Sequence, residues 1–232
     1  MQRLTLFDLD HTLLDGDSDV LWCDFLIERG LLDRDEFGAR NAAMERDYKA
    51  GTVSVQAFCD FYVSTLAGRT VSGWAPLREA FLAQVVAPRL WPAGQALVRQ
   101  HQAAGDLVVL TTATNRIITE CTAAHLGIQH LLATECETDA AGVLTGRTAG
   151  EPNMRDGKRV RLQAWLAGRG LDLSGMASTL YSDSINDLPL LSAVARPVAV
   201  DPDERLAAVA AARGWPVLSL RSTTSVGAEG LG

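Results

Sequence analysis

The sequence predicts an α/β protein: a doubly wound, mostly parallel, Rossmann-like sheet with an all-helical cap inserted after the first strand. Two observations support this fold class. Short apolar runs typical of buried strands alternate with segments whose apolar residues recur at helical spacing, a pattern typical of βαβ units. One long stretch between the first and second runs shows helical patterns only. At 232 residues the chain suits one core domain with a modest insertion.

Five apolar runs are expected to form the central strands of the sheet. Trp215–Leu220 is expected to add a late edge strand, and Ala140–Gly150, with Ala141-Gly142 at its tip, a small hairpin or flap. The five central runs are Leu4–Phe7, Leu107–Leu110, Leu131–Thr134, Ser178–Tyr181 and Pro197–Val200.

The stretch between Asp15 and Arg89 breaks the alternation of strands and helices. Apolar residues there recur at helical spacing, and glycines and prolines interrupt the pattern. We expect this helical insertion to lie over the carboxyl end of the first strand, with its aromatic residues forming the core of a bundle. The predicted boundaries are residues 1–15 and 89–221 for the core, 16–88 for the helical cap, and 222–232 for a disordered tail.

Composition limits the classes of partner. The formal net charge is −7, whereas nucleic acids and anionic membranes attract basic surfaces, so neither is expected as a partner. No apolar run approaches the ~20 residues of a membrane-spanning helix, and no signal peptide is expected. Cys23, Cys59, Cys121 and Cys136 are widely spaced without a C-x-x-C pair, which favours buried thiols in a reducing compartment. We expect a cytoplasmic protein.

Two aspartates, Asp8 and Asp10, follow the first predicted strand. A carboxylate at the end of a buried strand is unfavourable unless it has a function, and in an open α/β sheet ligands bind at this edge. Because an ionised carboxylate needs no base to attack phosphorus, we predict that Asp8 is the catalytic nucleophile. Asp10 is predicted to be the general acid that protonates a leaving alkoxide and then activates a water molecule.

A second strand ends in Thr111-Thr112-Ala113. A hydroxyl followed by a free backbone N–H can donate two hydrogen bonds to phosphate oxygens. We therefore predict phosphate binding by Thr112 and by the backbone of Ala113. Thr112 is preferred over Thr111 because its position then matches the reach of the first strand.

Lys158 is predicted to bind the same phosphate from the first turn of a helix that Asp156 caps. A lysine at this position interacts unfavourably with the helix dipole, and a bound phosphate would reverse that balance. Arg155 and Arg159 are the alternative ligands.

A later apolar strand again ends in carboxylates, Asp183 and Asp187. Mg²⁺ prefers octahedral oxygen ligands and keeps several waters, so one or two protein carboxylates suffice to hold it. We predict that Asp183 binds Mg²⁺ beside Asp8. Asp187 is predicted to bind the metal through water or to orient the site from outside the first coordination sphere.

In this order the four elements resemble the haloacid dehalogenase superfamily of phosphohydrolases. Residues 8–12 match its D-x-D-x-T motif, and Thr112, Lys158 and the pair Asp183/Asp187 match its later motifs. The helical insertion resembles subfamily IB, the branch that is similar to phosphoserine phosphatases and histidinol-phosphate phosphatases. The resemblance implies a Mg²⁺-dependent phosphatase that works through an aspartyl-phosphate. It also implies that Asp8 and Asp183 bind the metal by side chain and Asp10 by its backbone carbonyl.

The substrate is predicted from two departures from the phosphoserine-phosphatase pattern. Where that pattern has a glutamate that meets the substrate amine, this chain has Asp17, and where it has an arginine that meets the carboxylate, counting from Gly51 gives Asp60. Like charges repel in a desolvated pocket, so a cationic phosphomonoester without a carboxylate, such as histidinol phosphate, is predicted. Ordinary surface acidity of Asp17 and Asp60 stays open as the alternative, as does replacement of the arginine by Arg40 or Arg46.

Other functions stay open beside a phosphatase for a small phosphorylated metabolite. Phosphoserine is the alternative substrate, and a phosphotransferase or mutase would pass the group from Asp8 to an acceptor. A catalytically silent binding protein is expected to have lost one of the motif residues, and none is lost. His11 is predicted to line the entrance of the site. The sequence makes no prediction of the oligomeric state.

Overall fold

The computed structural model describes residues 2–221, and the predicted tail 222–232 lies outside this range. A seven-stranded sheet has the order β4-β3-β2-β1-β5-β6-β7, and every neighbouring pair is parallel except β3 and β4. The predicted α/β fold class is confirmed. The strands are β1 Arg3–Phe7, β2 Leu107–Asn115, β3 His130–Thr138, β4 Leu144–Ala149, β5 Ala177–Ser182, β6 Arg196–Val200 and β7 Val217–Leu218.

Helices cover both faces of the sheet, as the alternation of buried residues along the central strand requires. In β1, Leu4 and Leu6 pack into one apolar cluster, and Phe7 packs into the cluster on the other side. The helices are α1 Ser18–Glu28, α2 Arg34–Ala50, α3 Val55–Ser64, α4 Val71–Phe81, α5 Pro92–Ala103, α6 Arg116–His125, α7 Asp156–Ala167, α8 Leu188–Leu191 and α9 Glu204–Arg213.

The cap, as we call residues 18–89, consists of α1 to α4, a π-helical turn Leu82–Val86 and a 3₁₀ turn Ala87–Arg89. Trp22 makes edge-to-face contacts with Trp74 and Phe81, with ring centroids 5.6 and 5.1 Å apart. These aromatic residues are buried, as predicted for a bundle core. Since the chain enters the cap after β1 and returns before α5, the cap lies beside the carboxyl end of β1.

Strand register brings the chemically active segments to one edge. Phe7 pairs with Leu110 of β2 and with Tyr181 of β5, so the residues after these positions meet at the carboxyl edge. The Asp8 N–H donates to the Tyr181 carbonyl over 2.9 Å, which fixes the direction in which the chain leaves β1.

Two peripheral elements differ in extent from the prediction. The expected hairpin is the antiparallel pair β3–β4, but β3 itself runs on to Thr138, well past the predicted end at Thr134. The edge strand is only Val217–Leu218 rather than Trp215–Leu220. No helix among residues 2–221 has the length and apolar character needed to cross a bilayer.

Candidate active site

A pocket lies where the cap meets the carboxyl edge of the sheet. Its walls combine strand-end carboxylates, a lysine from α7 and side chains of the cap. The lining residues are Asp8, Asp10, His11, Asp17, Tyr48, Phe58, Ala113, Thr114, Lys158, Asp183, Ser184 and Asp187. Sequence reasoning named eight of these residues and missed Tyr48, Phe58, Thr114 and Ser184 as site residues.

Lys158 joins two carboxylates at the base of the pocket. Its Nζ donates to Asp8 Oδ1 and to Asp187 Oδ2, each over 2.7 Å, and all three side chains are buried. Burial alone would lower the pKa of Lys158, but the Asp187 and Asp8 carboxylates outweigh it and raise the pKa. The lysine is therefore a fixed cation whose charge faces the proposed nucleophile.

The first turn of α7 holds Lys158 in this position, and it does so without the predicted cap. Asp156 is the first helical residue and pairs with Arg159, while Arg155 occupies the N-cap position with a φ of 53° and no side-chain capping bond. A Cβ on Gly157 would lie 2.1 Å from the Pro152 carbonyl oxygen, so only glycine fits there. This close approach sets the helix near the sheet edge.

Asp8 and Asp183 lie close enough to share a ligand. The Thr12 hydroxyl oxygen is 2.9 Å from Asp183 Oδ1 and 3.3 Å from Asp8 Oδ2. Burial raises the pKa of Asp8 to about 7 against the opposing effect of Lys158, and burial and the Asp8 charge raise the pKa of Asp183. Ionising both carboxylates beside Asp187 would therefore give the site more negative charge than its own lysine neutralises.

Two carboxylates at this position offer oxygen ligands. Asp8 and Asp183, which meet at the Thr12 hydroxyl, suit Mg²⁺ with its remaining positions filled by water. The backbone carbonyl of Asp10 as a further ligand stays a prediction from the family resemblance. Within residues 2–221 no group of three or more His, Cys, Asp or Glu side chains is arranged to hold a metal. A set of two carboxylates and a carbonyl is compatible with that result.

Asp187 orients a residue of the site. Its Oδ2 accepts from Lys158 and, over 2.8 Å, from the Ser182 hydroxyl. Holding the lysine agrees with the predicted alternative in which Asp187 acts from outside the first coordination sphere. A water-mediated contact to the metal stays a prediction.

Thr112 lies behind Asp10 and is absent from the pocket lining. Its hydroxyl is fully buried and donates to Asp10 Oδ2 over 2.9 Å. The predicted contact of Thr112 with phosphate stays a prediction. The Thr111 hydroxyl accepts from Asn153 Nδ2 over 3.0 Å. Of the two threonine side chains, only that of Thr112 contacts a residue of the pocket, Asp10. Ala113 does line the pocket.

Asp17 is buried at the cap side of the pocket, which excludes ordinary surface acidity for this residue. Its Oδ1 caps α1 by accepting from the N–H groups of Asp19 and Val20 over 2.9 and 3.1 Å. Burial and the Asp10 charge raise the pKa of Asp17 to about 7. Its position next to the pocket agrees with the predicted contact to a substrate cation.

Asp60 does not line the pocket. Its Oδ1 accepts from Gln56 Nε2 over 2.9 Å and from the Thr148 hydroxyl over 3.1 Å, which ties α3 to β4. The structure therefore corrects its assignment as a substrate ligand: Asp60 lies on the face of α3 that is turned to the flap.

Neither alternative arginine lines the pocket. Arg40 stacks on Phe37 and Phe61 at the cap surface, and Arg46 is exposed.

Tyr48 and Phe58 close the pocket from the cap. Their rings are 4.8 Å apart, and burial together with the Asp187 charge raises the pKa of the Tyr48 phenol. Phe58 has the periodicity of a bundle-core residue, and Tyr48 sits in a polar helix. Neither pattern carries a signal that distinguishes a pocket residue, so sequence reasoning could not find them.

Comparisons with known proteins agree with this geometry. The family model "haloacid dehalogenase-like hydrolase" matches residues 5–192. A histidinol-phosphatase from Neisseria meningitidis is 40% identical over 95% of this chain and 100% of its own length. A phosphoserine phosphatase from Mycobacterium tuberculosis is 33% identical over 93% of this chain and 70% of its own length.

Solved structures share the fold. A Bordetella pertussis protein of unknown function has a TM-score of 0.89 at 44% identity, covering 95% of this chain and 99% of that chain. A substrate-bound phosphoserine phosphatase has a TM-score of 0.66 at 15% identity, covering 94% and 93%, which shows similarity of fold alone. With its family motifs meeting at one sheet edge, this chain belongs to the haloacid dehalogenase-like hydrolases and is a phosphoric monoester hydrolase.

Proposed function

We propose that the chain hydrolyses histidinol phosphate with Mg²⁺, through an aspartyl-phosphate on Asp8. One observation carries the chemistry: a buried Asp8 that is bonded to Lys158 on one oxygen and shares the Thr12 hydroxyl with Asp183 on the other. This arrangement supplies a nucleophile, a fixed cation and an oxygen-rich position for a divalent ion. Mg²⁺, when bound by Asp8, Asp183 and the Asp10 carbonyl, offsets the negative charge of the phosphate.

In the first step an Asp8 oxygen attacks phosphorus and the bond to the substrate oxygen breaks. Asp10 gives its proton to the departing alkoxide, while Lys158 offsets charge on the transferring group. In the second step a water molecule loses a proton to Asp10 and attacks the phosphoryl group. Asp8 is released as a carboxylate, inorganic phosphate leaves, and Asp10 again carries the proton.

The cap side of the pocket supports a cationic substrate. The buried carboxylate of Asp17 can pair with an amine. Among the side chains that the structure describes, Lys158 is the only lysine or arginine in the pocket lining, and it is already paired with two carboxylates. A substrate carboxylate would therefore enter a pocket without a free guanidinium to receive it. The 40% identical histidinol-phosphatase supports the same substrate.

Phosphoserine is the competing substrate, because a 33% identical relative carries the name phosphoserine phosphatase. The two substrates share an amine and a phosphate, but phosphoserine carries a carboxylate where histidinol phosphate carries an imidazolylmethyl group. The choice is therefore one of charge and shape at the cap. The four free thiols among the described residues support a reducing compartment, and we propose the cytoplasm.

A side-by-side assay tests the proposal. Phosphate release is measured with Mg²⁺ on histidinol phosphate and phosphoserine, with Asp8→Asn as the control for contaminating phosphatases. We expect kcat/KM to be at least about 100-fold higher for histidinol phosphate, since an unpaired buried carboxylate is strongly disfavoured. Preference for phosphoserine would refute the substrate. Activity that survives Asp8→Asn would refute the mechanism, and phosphate transfer to an added alcohol with little release would indicate a phosphotransferase.

A further inference from the structure

Four hydrogen-bond donors surround the carboxylate of Asp10. The Ser18 backbone N–H donates to Oδ1 over 2.7 Å, and the Ser18 hydroxyl donates to the same oxygen. The hydroxyls of Thr112 and Thr114 each donate to Oδ2 over 2.9 Å. A carboxylate offers about four acceptor positions, so this set leaves none of them open.

The two oxygens differ in whether their partners can reverse direction. A backbone N–H only donates, so Oδ1 cannot carry a proton without losing or opposing the Ser18 N–H. The donors to Oδ2 are both hydroxyls, and a hydroxyl can rotate away or accept a hydrogen bond instead of donating one. Oδ2 is therefore the oxygen that can take and release a proton while the carboxylate stays in place.

The two threonine hydroxyls are not equivalent. Thr112 Oγ1 accepts from the Thr114 N–H over 3.1 Å, which holds the Thr112 hydroxyl as a donor to Asp10. Thr114 Oγ1 has the Ser18 hydroxyl as a second partner, a donor 3.4 Å away, so the Thr114 proton stays directed to Asp10 Oδ2. Unlike Thr112, which is fully buried, Thr114 lines the pocket.

We infer that Thr114 is a positioning residue for the general acid: its hydroxyl, which donates to Asp10 Oδ2 over 2.9 Å, holds this oxygen in place beside the pocket. This inference rests on the proposed function, in which Asp10 protonates the leaving group. The proton passes from Oδ2 to the departing alkoxide in the first step, and Oδ2 takes a proton from water in the second. Thr114 lines the pocket and is 2% exposed, so its hydroxyl has a defined environment.

The test compares leaving groups. Histidinol phosphate releases an alkoxide that needs a proton, whereas p-nitrophenyl phosphate releases a stable phenolate that does not. In Thr114→Val, kcat/KM for histidinol phosphate should fall about tenfold, as expected for a lost hydrogen bond to a charged group. For p-nitrophenyl phosphate it should change less than about threefold. Thr114→Ser, which keeps the hydroxyl, should restore the activity on histidinol phosphate.

Thr119→Val is the matched control. Thr119 is also buried, and its hydroxyl donates to the Asn115 carbonyl over 2.8 Å without touching Asp10. Any loss from a disturbed core should affect both substrates equally in this variant. If valine at position 114 disturbs folding, Thr114→Ala must show the same selective loss.

An equal loss on both substrates in Thr114→Val, or no loss on either, would overturn the positioning role. Asp10→Asn measured in parallel separates this failure from failure of the proposed function. If Asp10→Asn selectively lowers histidinol phosphate hydrolysis and the Thr114 variants do not, only the positioning role is wrong. If Asp10→Asn itself shows no selectivity between leaving groups, the acid role of Asp10 is wrong and the inference falls with it.

Discussion

The pocket has two walls of opposite character. The core wall, Asp8, Lys158, Asp183 and Asp187, comes from strand ends and the start of α7, and most of its polar atoms are already paired with one another. The cap wall, Asp17, Tyr48 and Phe58, consists of one buried carboxylate and two aromatic rings in contact.

This difference assigns catalysis to the core wall and the choice of substrate to the cap wall. Charges on the core wall hold each other in place, so a change there removes catalysis and stability together. The cap wall makes few polar contacts of its own, so a change there is expected to alter which phosphate ester is accepted.

Lys158→Met should have the largest effect. The variant leaves Asp8 and Asp187 buried without their shared cation, which costs about 3–5 kcal/mol of unfolding free energy at neutral pH. Activity should fall roughly 10²–10³-fold. The stability loss should shrink as the pH falls, because protonation removes the unpaired charges. Denaturant melts at pH 5 and pH 8 and steady-state kinetics measure both effects.

Arg159→Met is the control for Lys158, one position along α7. Arg159 pairs with the exposed Asp156, so the free energy of unfolding should hardly change. A Lys158 variant that is as stable and active as this control would show that the core wall is not a coupled ionic unit.

Asp17→Asn should change selectivity more than chemistry. The activity on histidinol phosphate should fall about 10- to 100-fold, while that on p-nitrophenyl phosphate, which has no amine, should change less than about threefold. Asp24→Asn, an exposed position of the same helix, is the control. Equal losses on the two substrates would contradict a cap wall that selects the substrate cation.

The Asp17→Asn variant should also change how the stability of the protein depends on pH. Burial raises the pKa of Asp17 to about 7, above its ordinary value of about 4, so the folded protein holds this proton more tightly than the unfolded chain. The stability of the wild type should therefore fall as the pH rises from about 4 to about 7. Asparagine caps a helix equally well and has no charge, so Asp17→Asn should melt roughly 5 °C higher than wild type at pH 8 and nearly the same at pH 4.

Asp60→Ala should have the smallest effect. The variant loses the bonds to Gln56 and Thr148 and should cost about 1 kcal/mol, while kcat/KM should change less than about twofold. Asp60→Asn, which keeps an acceptor, should recover the stability. A large change in selectivity toward phosphoserine in Asp60→Ala would contradict this, because it would show that Asp60 contacts the substrate.

The core wall could be predicted from the sequence because strand order and register place its residues. An apolar strand with an acidic end is visible for Asp8 and Asp183, and parallel pairing through Phe7 and Tyr181 brings those ends together. The hydrogen-bond partners of the site residues could not be predicted from the sequence. Asp187 and Thr112 carry the expected side chains, yet their partners are Lys158 and Asp10, and no local pattern encodes such long-range contacts.

The cap wall could be predicted only in part. Asp17 was found by its distance from Asp8 along the chain, which stays constant because few residues separate them. Counting across the insertion to Asp60 failed, because the packing of α3 against β4 turns that side chain toward the flap. Tyr48 reaches the pocket only through the angle at which the cap packs on the core, which periodicity does not determine.

Trapping of a phosphorylated enzyme tests the central claim, catalysis through Asp8, most directly. Asp10→Asn is mixed with Mg²⁺ and p-nitrophenyl phosphate, quenched, and the phosphorylated peptide is identified by mass spectrometry. Because this leaving group needs no acid while hydrolysis of the acyl-phosphate needs a base, the phosphoryl group should accumulate on Asp8. Continued release of p-nitrophenol with Asp8 unmodified, or a phosphoryl group on another residue, would contradict the account.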